Sequence, residues 1–300
     1  MCGYKISICT QKIQQIYGDK KTFEIAKGLG VDAVDFFTNS FDCSKEDSVY
    51  SKSDDEISAY FTELKECAAK SDIAIAQTHG RLRTYMSDAA LAELCLENER
   101  RDLLAASALG APVCVMHGIK DSIIGKDLKP QFIRDLCYEI FSKLIVWAKE
   151  YNVRLAIETS GYTDATQSLE FFAQAKEIKG IYERICADGD NSKFFSVCVD
   201  TGHTNTAVRF GNPSVGDCIR MYGKSISCLH LHDNDGFHDQ HLPMRCGTID
   251  CDDVLNANEE TGYVGFYNLE VNLSRFGKGF ELESADFSIK LLKFMLERKN

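Results

Sequence analysis

Phe194-Phe195-Ser196-Val197-Cys198-Val199-Asp200-Thr201-Gly202-His203 is almost wholly apolar at first and then stops at a carboxylate, a glycine and an imidazole. Short, β-branched and aromatic, the run reads as a strand buried on both faces, the state of a parallel sheet covered outside by helices and filled inside by side chains. The same form recurs at Ile73-Ala74-Ile75-Ala76 and Val113-Cys114-Val115-Met116. Segments 5–9, 33–37, 73–78, 113–117, 154–158, 195–200, 226–232 and 266–271 make eight such candidates. Stretches of helical period separate them, such as 54–70, 89–109, 130–151 and 285–298, with apolar residues three and four apart as in Leu91, Leu94 and Cys95. Eight alternating units in 300 residues predict an α/β fold of the (β/α)8 type, a TIM barrel, as a single domain over residues 1–300. A doubly wound open sheet is the alternative, but no GxGxxG turn follows the first strand.

The remaining composition fits one large globular unit. Four prolines and no Ser/Gly/Pro-rich stretch argue against a linker. The start, MCGYKISICTQK, turns polar too soon for a signal peptide, and no window approaches the roughly 20 apolar residues of a membrane span. A cytoplasmic protein without a membrane partner is expected. Thirteen cysteines form no CxxC pair, and Cys114, Cys198 and Cys228 sit in apolar runs, so they read as reduced, buried thiols. A net charge of -11 disfavours a broad electrostatic grip on nucleic acid.

In a (β/α)8 barrel the chemistry lies at the C-terminal ends of the strands. The third strand closes on Thr78-His79-Gly80, the fourth on Met116-His117-Gly118, the fifth on Ile157-Glu158-Thr159 and the sixth on Asp200-Thr201-Gly202-His203. The seventh closes on Leu231-His232-Asp233 and the eighth on Leu269-Glu270-Val271. A lone strand-end histidine is usually a solvated rim residue. Six ionisable ends converging on one mouth would repel or stand unsatisfied unless a cation or a substrate compensated them. The run from His230 to His241 adds four of the seven histidines and three aspartates. A divalent metal is the expected cofactor.

These residues resemble the xylose isomerase-like TIM-barrel superfamily, which contains sugar isomerases, ketose 3-epimerases, inosose dehydratases and the endonuclease IV family. The resemblance runs from GLGVDAVDFF at 28–37 to YNLEVN at 267–272, and is most specific at VCVDTGH, HLHDNDGFHDQHLP and GTID. It implies a metal held by Glu158, Asp200, His232 and Glu270, with both glutamates also moving protons as the catalytic pair. His232 is preferred to His230 because the family's ligand histidine lies three residues before an acid, here Asp235. The endonuclease IV pattern implies more: His79 and His117 with Glu158 for one metal, Glu158 bridging to Asp200, His232 and Glu270 for a second, and His203, Asp239 and His241 for a third. Oxygen-rich donors suit Mn2+ or Mg2+, and the added histidines favour Zn2+. His203, His238 and Arg245 are the candidate substrate-binding residues. His238 stands where the ketose 3-epimerases place a substrate-binding arginine, and Arg245-Cys246-Gly247 replaces the usual Gly-Glu-Gly. Arg81, Arg83 and Arg209 also follow strand ends, where they could meet a phosphate or carboxylate.

Two chemistries follow from the resemblance. In an isomerase or epimerase one cation polarises a carbonyl and its neighbouring hydroxyl, while Glu158 and Glu270 act as base and acid on a sugar, sugar phosphate or polyol. In a phosphoester hydrolase of endonuclease IV type, two or three cations generate hydroxide and neutralise the phosphate. The acidic chain and the lack of a basic, aromatic-rich stretch favour a small sugar over nucleic acid. A barrel that binds but has lost its chemistry fits poorly with an intact glutamate pair, and a homo-oligomer is left open.

Overall fold

Side chains within each barrel strand alternate between two surroundings, and the sequence sets which is which. The computed structural model describes residues 4–82, 88–119, 129–163 and 167–298. Its strands are β1 (Ile6–Cys9), β2 (Ala33–Phe37), β3 (Ala74–His79), β4 (Val113–His117), β5 (Arg154–Glu158), β6 (Phe195–Asp200), β7 (Ile226–His230) and β8 (Tyr267–Leu269). Ile6 and Ile8, Val34 and Phe36, Leu155 and Ile157, and Val197 and Val199 join the main core beneath the helices. Val113, Val115, Ala156, Cys198 and Cys228 make a separate small cluster along the barrel axis. The next axial positions in the same alternation are His117, Glu158, Asp200 and His230, so the interior changes from apolar to ionisable toward the C-terminal ends.

All strand pairings in the barrel are parallel, in the order β8-β1-β2-β3-β4-β5-β6-β7. The ring closes just past β7, where Leu231 bridges to Leu269. There Leu231 N–H donates to Asn268 O at 2.7 Å, and Glu270 N–H donates to Leu231 O at 3.1 Å. The chain thus forms the TIM barrel that its sequence pattern predicts. Helix signals are equally local. Ser53 and Glu56 cap the helix Asp54–Lys70 reciprocally. The helix Ala89–Leu109 stops at Gly110, whose φ of 83° favours glycine. A short antiparallel hairpin, Tyr162–Thr163 with Ser168–Leu169, follows β5.

Several boundaries depart from expectation. β7 ends at His230 instead of 232, β8 spans Tyr267–Leu269 instead of 266–271, β3 is shifted by one residue to Ala74–His79, and the last helix begins at Glu281, four residues before the expected 285. Cys114, Cys198 and Cys228 are buried, as their apolar settings imply. Among the described residues no helix is long and apolar enough to cross a membrane.

Candidate metal centre

The inner part of the mouth is built from strand ends. Glu158 ends β5, Asp200 ends β6, His230 ends β7 and Glu270 follows β8, and one ligand atom from each lies within 4.8 Å of the others. His230 Nδ1 stands between the two glutamates, 2.7 Å from Glu270 Oε2 and 3.4 Å from Glu158 Oε1. The Gln77 amide nitrogen meets His230 Nε2 at 2.7 Å on the other side of the ring. The resemblance gave this place to His232, but the structure puts His230 there. Both histidines face inward, and His232 is two residues, about 6.6 Å, farther along the chain direction.

Charge balance at this cluster is unusual. Glu158 is fully buried, and its two oxygens and Glu270 Oε2 are met by imidazole nitrogens of His117, His203 and His230 at 2.7 to 3.4 Å. Burial alone would raise the Glu158 pKa, but the charges of His117 and His230 hold it well below the usual range. Burial acts on Glu270 in the same sense, and His230 and His79 override it. Burial would lower His230, and Glu158 with Glu270 push it well above an ordinary histidine. Such carboxylates persist only beside compensating positive charge. The imidazoles of His117, His203 and His230 surround these carboxylates, and a divalent cation fits the same two glutamates, aspartate and imidazole.

The outer part is built from a helix start and a loop. His203, His232, Asp239 and His241 again bring ligand atoms within 4.8 Å of one another. A carbonyl only accepts, so His203 Nδ1–H donates to Thr159 O at 3.0 Å and His241 Nδ1–H donates to Glu270 O at 2.8 Å. Each Nε2 is thereby turned to Asp239 Oδ2, at 3.4 Å and 3.3 Å. His117 follows the same rule, with Nδ1 at 3.3 Å from Arg81 O and Nε2 at 3.2 Å from Glu158 Oε2. Imidazoles pinned through Nδ1 to a carbonyl are oriented as metal ligands commonly are. His232 lies flat on His241 with centroids 3.8 Å apart, and its Nε2 is 2.9 Å from Asp200. Gly202 makes room for that ring, since a Cβ there would come within 2.0 Å of His232 Cε1. His241 holds a φ of 47°, an uncommon strain for a residue with a side chain. Desolvation would raise the pKa of Asp239, whose side chain is one-third exposed, but His203 and then His241 hold it well below the usual carboxylate range.

His79 ends β3, stacks on His230 at 4.8 Å and lies 3.5 Å from Asp35 Oδ2. Asp35 went unremarked in the sequence, although a carboxylate inside Ala33-Val34-Asp35-Phe36-Phe37 is the signal of a buried charge. Two expected substrate contacts lie outside the cluster. His238 is 58% exposed and bonded to Asp235, because the loop turns it to solvent. Arg245 is half-exposed and paired with Asp252. Arg81 is not a rim cation either: its head is buried against Asp102 at 3.1 Å, the carbonyls of Asn39 and Phe41, and the Tyr50 ring. Arg209 stacks on Tyr162, Phe210 and Phe237, and Arg83 lies outside the described residues. Two cavities meet at Asp239. One of about 360 Å3 is lined by Cys9, Lys12, His241, Glu270 and Asn272. The other, of about 150 Å3, is lined by His117, Tyr162, Glu170 and His203.

A (β/α)8 barrel with imidazoles and carboxylates converging at its strand ends defines the class: a TIM-barrel protein with a candidate metal centre at its mouth. The chain belongs to the xylose isomerase-like TIM barrel family, whose model matches residues 23–294. It is 28% identical over 172 residues to an uncharacterised protein, y4fM, of Sinorhizobium fredii, covering 57% of this chain and 50% of that one. It is 27% identical over 139 residues to an uncharacterised protein of Methanocaldococcus jannaschii, covering 46% and 43%. The chain thus matches about half the length of these curated relatives or less. Among solved structures, a putative xylose isomerase from Rhodospirillum rubrum superposes with a TM-score of 0.77 at 16% identity, over 97% of this chain and 99% of that one. A D-tagatose 3-epimerase-like protein gives 0.72 at 19%, over 99% and 100%. An IolI protein with a bound zinc atom gives 0.68 at 16%, over 95% and 94%. At these identities the likeness is one of fold.

Proposed function

We propose that this chain is a divalent-metal-dependent isomerase or epimerase of a sugar or related polyhydroxy compound, with Glu158 and Glu270 as its proton carriers. The observation that carries the reading is the convergence of Glu158, Asp200, His230 and Glu270 from four strands, with His230 Nδ1 between the two glutamates. A cation bound there would polarise a carbonyl and adjacent hydroxyl and acidify the carbon-bound proton between them. Glu158 is fully buried beside His117 and His230, which suits it to accept a proton inside a closed site. Glu270 reaches in from β8, on the border of the 360 Å3 cavity, and delivers a proton from the other side. His79, His117 and His230 orient these carboxylates. Lys12 and Asn272 offer donors to substrate oxygens or to an anionic substituent. The D-tagatose 3-epimerase-like protein and the putative xylose isomerase that share the fold agree with this reading.

The outer cluster favours a second reading, a multinuclear phosphoester hydrolase, because His203, His232, Asp239 and His241 provide for another cation. Isotope exchange separates the two. A panel of free and phosphorylated ketoses and aldoses, incubated with the metal-loaded enzyme in D2O, should include a substrate that gains deuterium at carbon. Glu270→Gln should slow that exchange at least about 100-fold. Phosphoester hydrolysis without carbon exchange would replace the isomerase reading by the hydrolase.

A further inference from the structure

Three neighbouring strands bring a third set of donors together. Cys9 ends β1, Asp35 lies within β2 and His79 ends β3, and one ligand atom from each falls within 4.8 Å of the others. Neither the proton-transfer chemistry nor the outer cluster uses Cys9 or Asp35. We propose that Cys9, Asp35 and His79 bind a divalent cation of the zinc or cobalt class, at a site beside the glutamate cluster, whose Glu270 Oε2 lies 3.9 Å from the same His79 Nδ1.

Two of these buried groups have a polar atom without a hydrogen-bond partner. Asp35 is fully buried; its Oδ2 accepts from Asn268 Nδ2 at 3.0 Å, which fixes the carboxylate and leaves Oδ1 without a hydrogen bond. His79 is 5% exposed, and its Nδ1 also lacks one. An ion pair between the two explains the arrangement poorly. The 3.5 Å from His79 Nδ1 to Asp35 Oδ2 is well beyond the roughly 2.8 Å of a charge-assisted hydrogen bond. It also leaves Oδ1 unused. One sulfur, one oxygen and one imidazole nitrogen make a donor set that borderline cations accept, and Mg2+ does not favour thiolate. Three protein donors leave a tetrahedral cation one position for water or substrate. Cys9 also lines the 360 Å3 cavity, so an ion has a route in. When it binds, the Cys9 Sγ–H bond breaks, the proton leaves to solvent and a metal–sulfur bond forms.

Cobalt spectroscopy on the full-length protein tests the site, since only a thiolate ligand gives a sulfur-to-cobalt charge-transfer band in the near ultraviolet. The Co2+-loaded wild type should show the band. Cys9→Ser should lose it and hold about one equivalent less cobalt per chain, while the visible bands of cobalt at the other sites persist. Absence of the band at saturating Co2+, or its survival in Cys9→Ser, would overturn the proposal. Asp35→Asn keeps every cysteine and should weaken the cobalt affinity read at this band at least about 10-fold; an unchanged affinity also overturns it. The proton-transfer reading stands on isotope exchange instead, so either can fail alone.

Discussion

The inner and outer donor clusters share one mouth but are held in different ways. Glu158, Asp200 and His230 are the last residues of ladder-bonded strands and are fully buried, so the sheet itself sets their positions. Asp239 and His241 ride on a loop and are partly exposed, and carbonyl hydrogen bonds, a stacked ring and a strained backbone do the positioning. Strand-borne donors change place only with the barrel. Loop-borne donors can be moved by a single local change, which makes the outer cluster the natural site of variation in metal number or substrate contact.

The largest effect should come from exchanging the two histidines of the His-Leu-His step. His230→Ala should weaken the inner cation by more than about 100-fold, beyond what loss of an outer-shell partner costs. His232→Ala should leave that affinity within about 10-fold and lower binding at the outer cluster. Isothermal titration with Mn2+ checks both, and the reverse ranking would restore His232 to the inner site.

A middle-sized effect is expected from pH. Burial would lower the pKa of His79, but Glu270 and then Asp35 raise it to about 9, and Asp239 with Glu270 raises His241 to about 10 against the same opposition. Unfolded histidines titrate near about 6.5. The stabilisation from these two protons is therefore complete below that pH and is lost as pH rises through about 9 to 10. The denaturation midpoint of metal-stripped protein should fall across this window, and the metal-loaded protein should respond less. A flat profile without metal would contradict the ion-pair balance described for the mouth.

The smallest effect concerns the cavity wall. Lys12→Ala should raise KM for a phosphorylated or carboxylated substrate about fivefold, near 1 kcal/mol, with kcat unchanged. A drop in kcat instead would place Lys12 closer to the reacting atoms than its cavity position suggests.

The fold was legible in the sequence because strand boundaries are written in composition: β2, β4, β5 and β6 begin and end where the apolar runs do. Strand parity also carried His79, His117, Glu158 and Asp200 to the mouth. What parity cannot decide is height along the axis. His230 and His232 face the same way, and only the pairing of β6 with β7 puts the first of them level with Asp200. Loop residues were the least legible. His238 looked like part of a dense ligand run, but Asp235 accepts hydrogen bonds from the backbone N–H of Phe237 and His238 and turns that histidine outward. The burial of Arg81 is hidden in the sequence because its partners, Asp102 and the Asn39 and Phe41 carbonyls, are remote along the chain. Asp35 is hard to single out, because one acid in an apolar strand is a quiet signal beside a run of histidines.

The account rests on the inner cluster as the principal cation site, and anomalous diffraction from Mn2+-loaded crystals tests it directly. The strongest manganese peak should lie among the Glu158, Asp200, His230 and Glu270 side chains, with His232 outside its coordination shell. A principal peak held by His232, or one confined to the outer cluster, would contradict it.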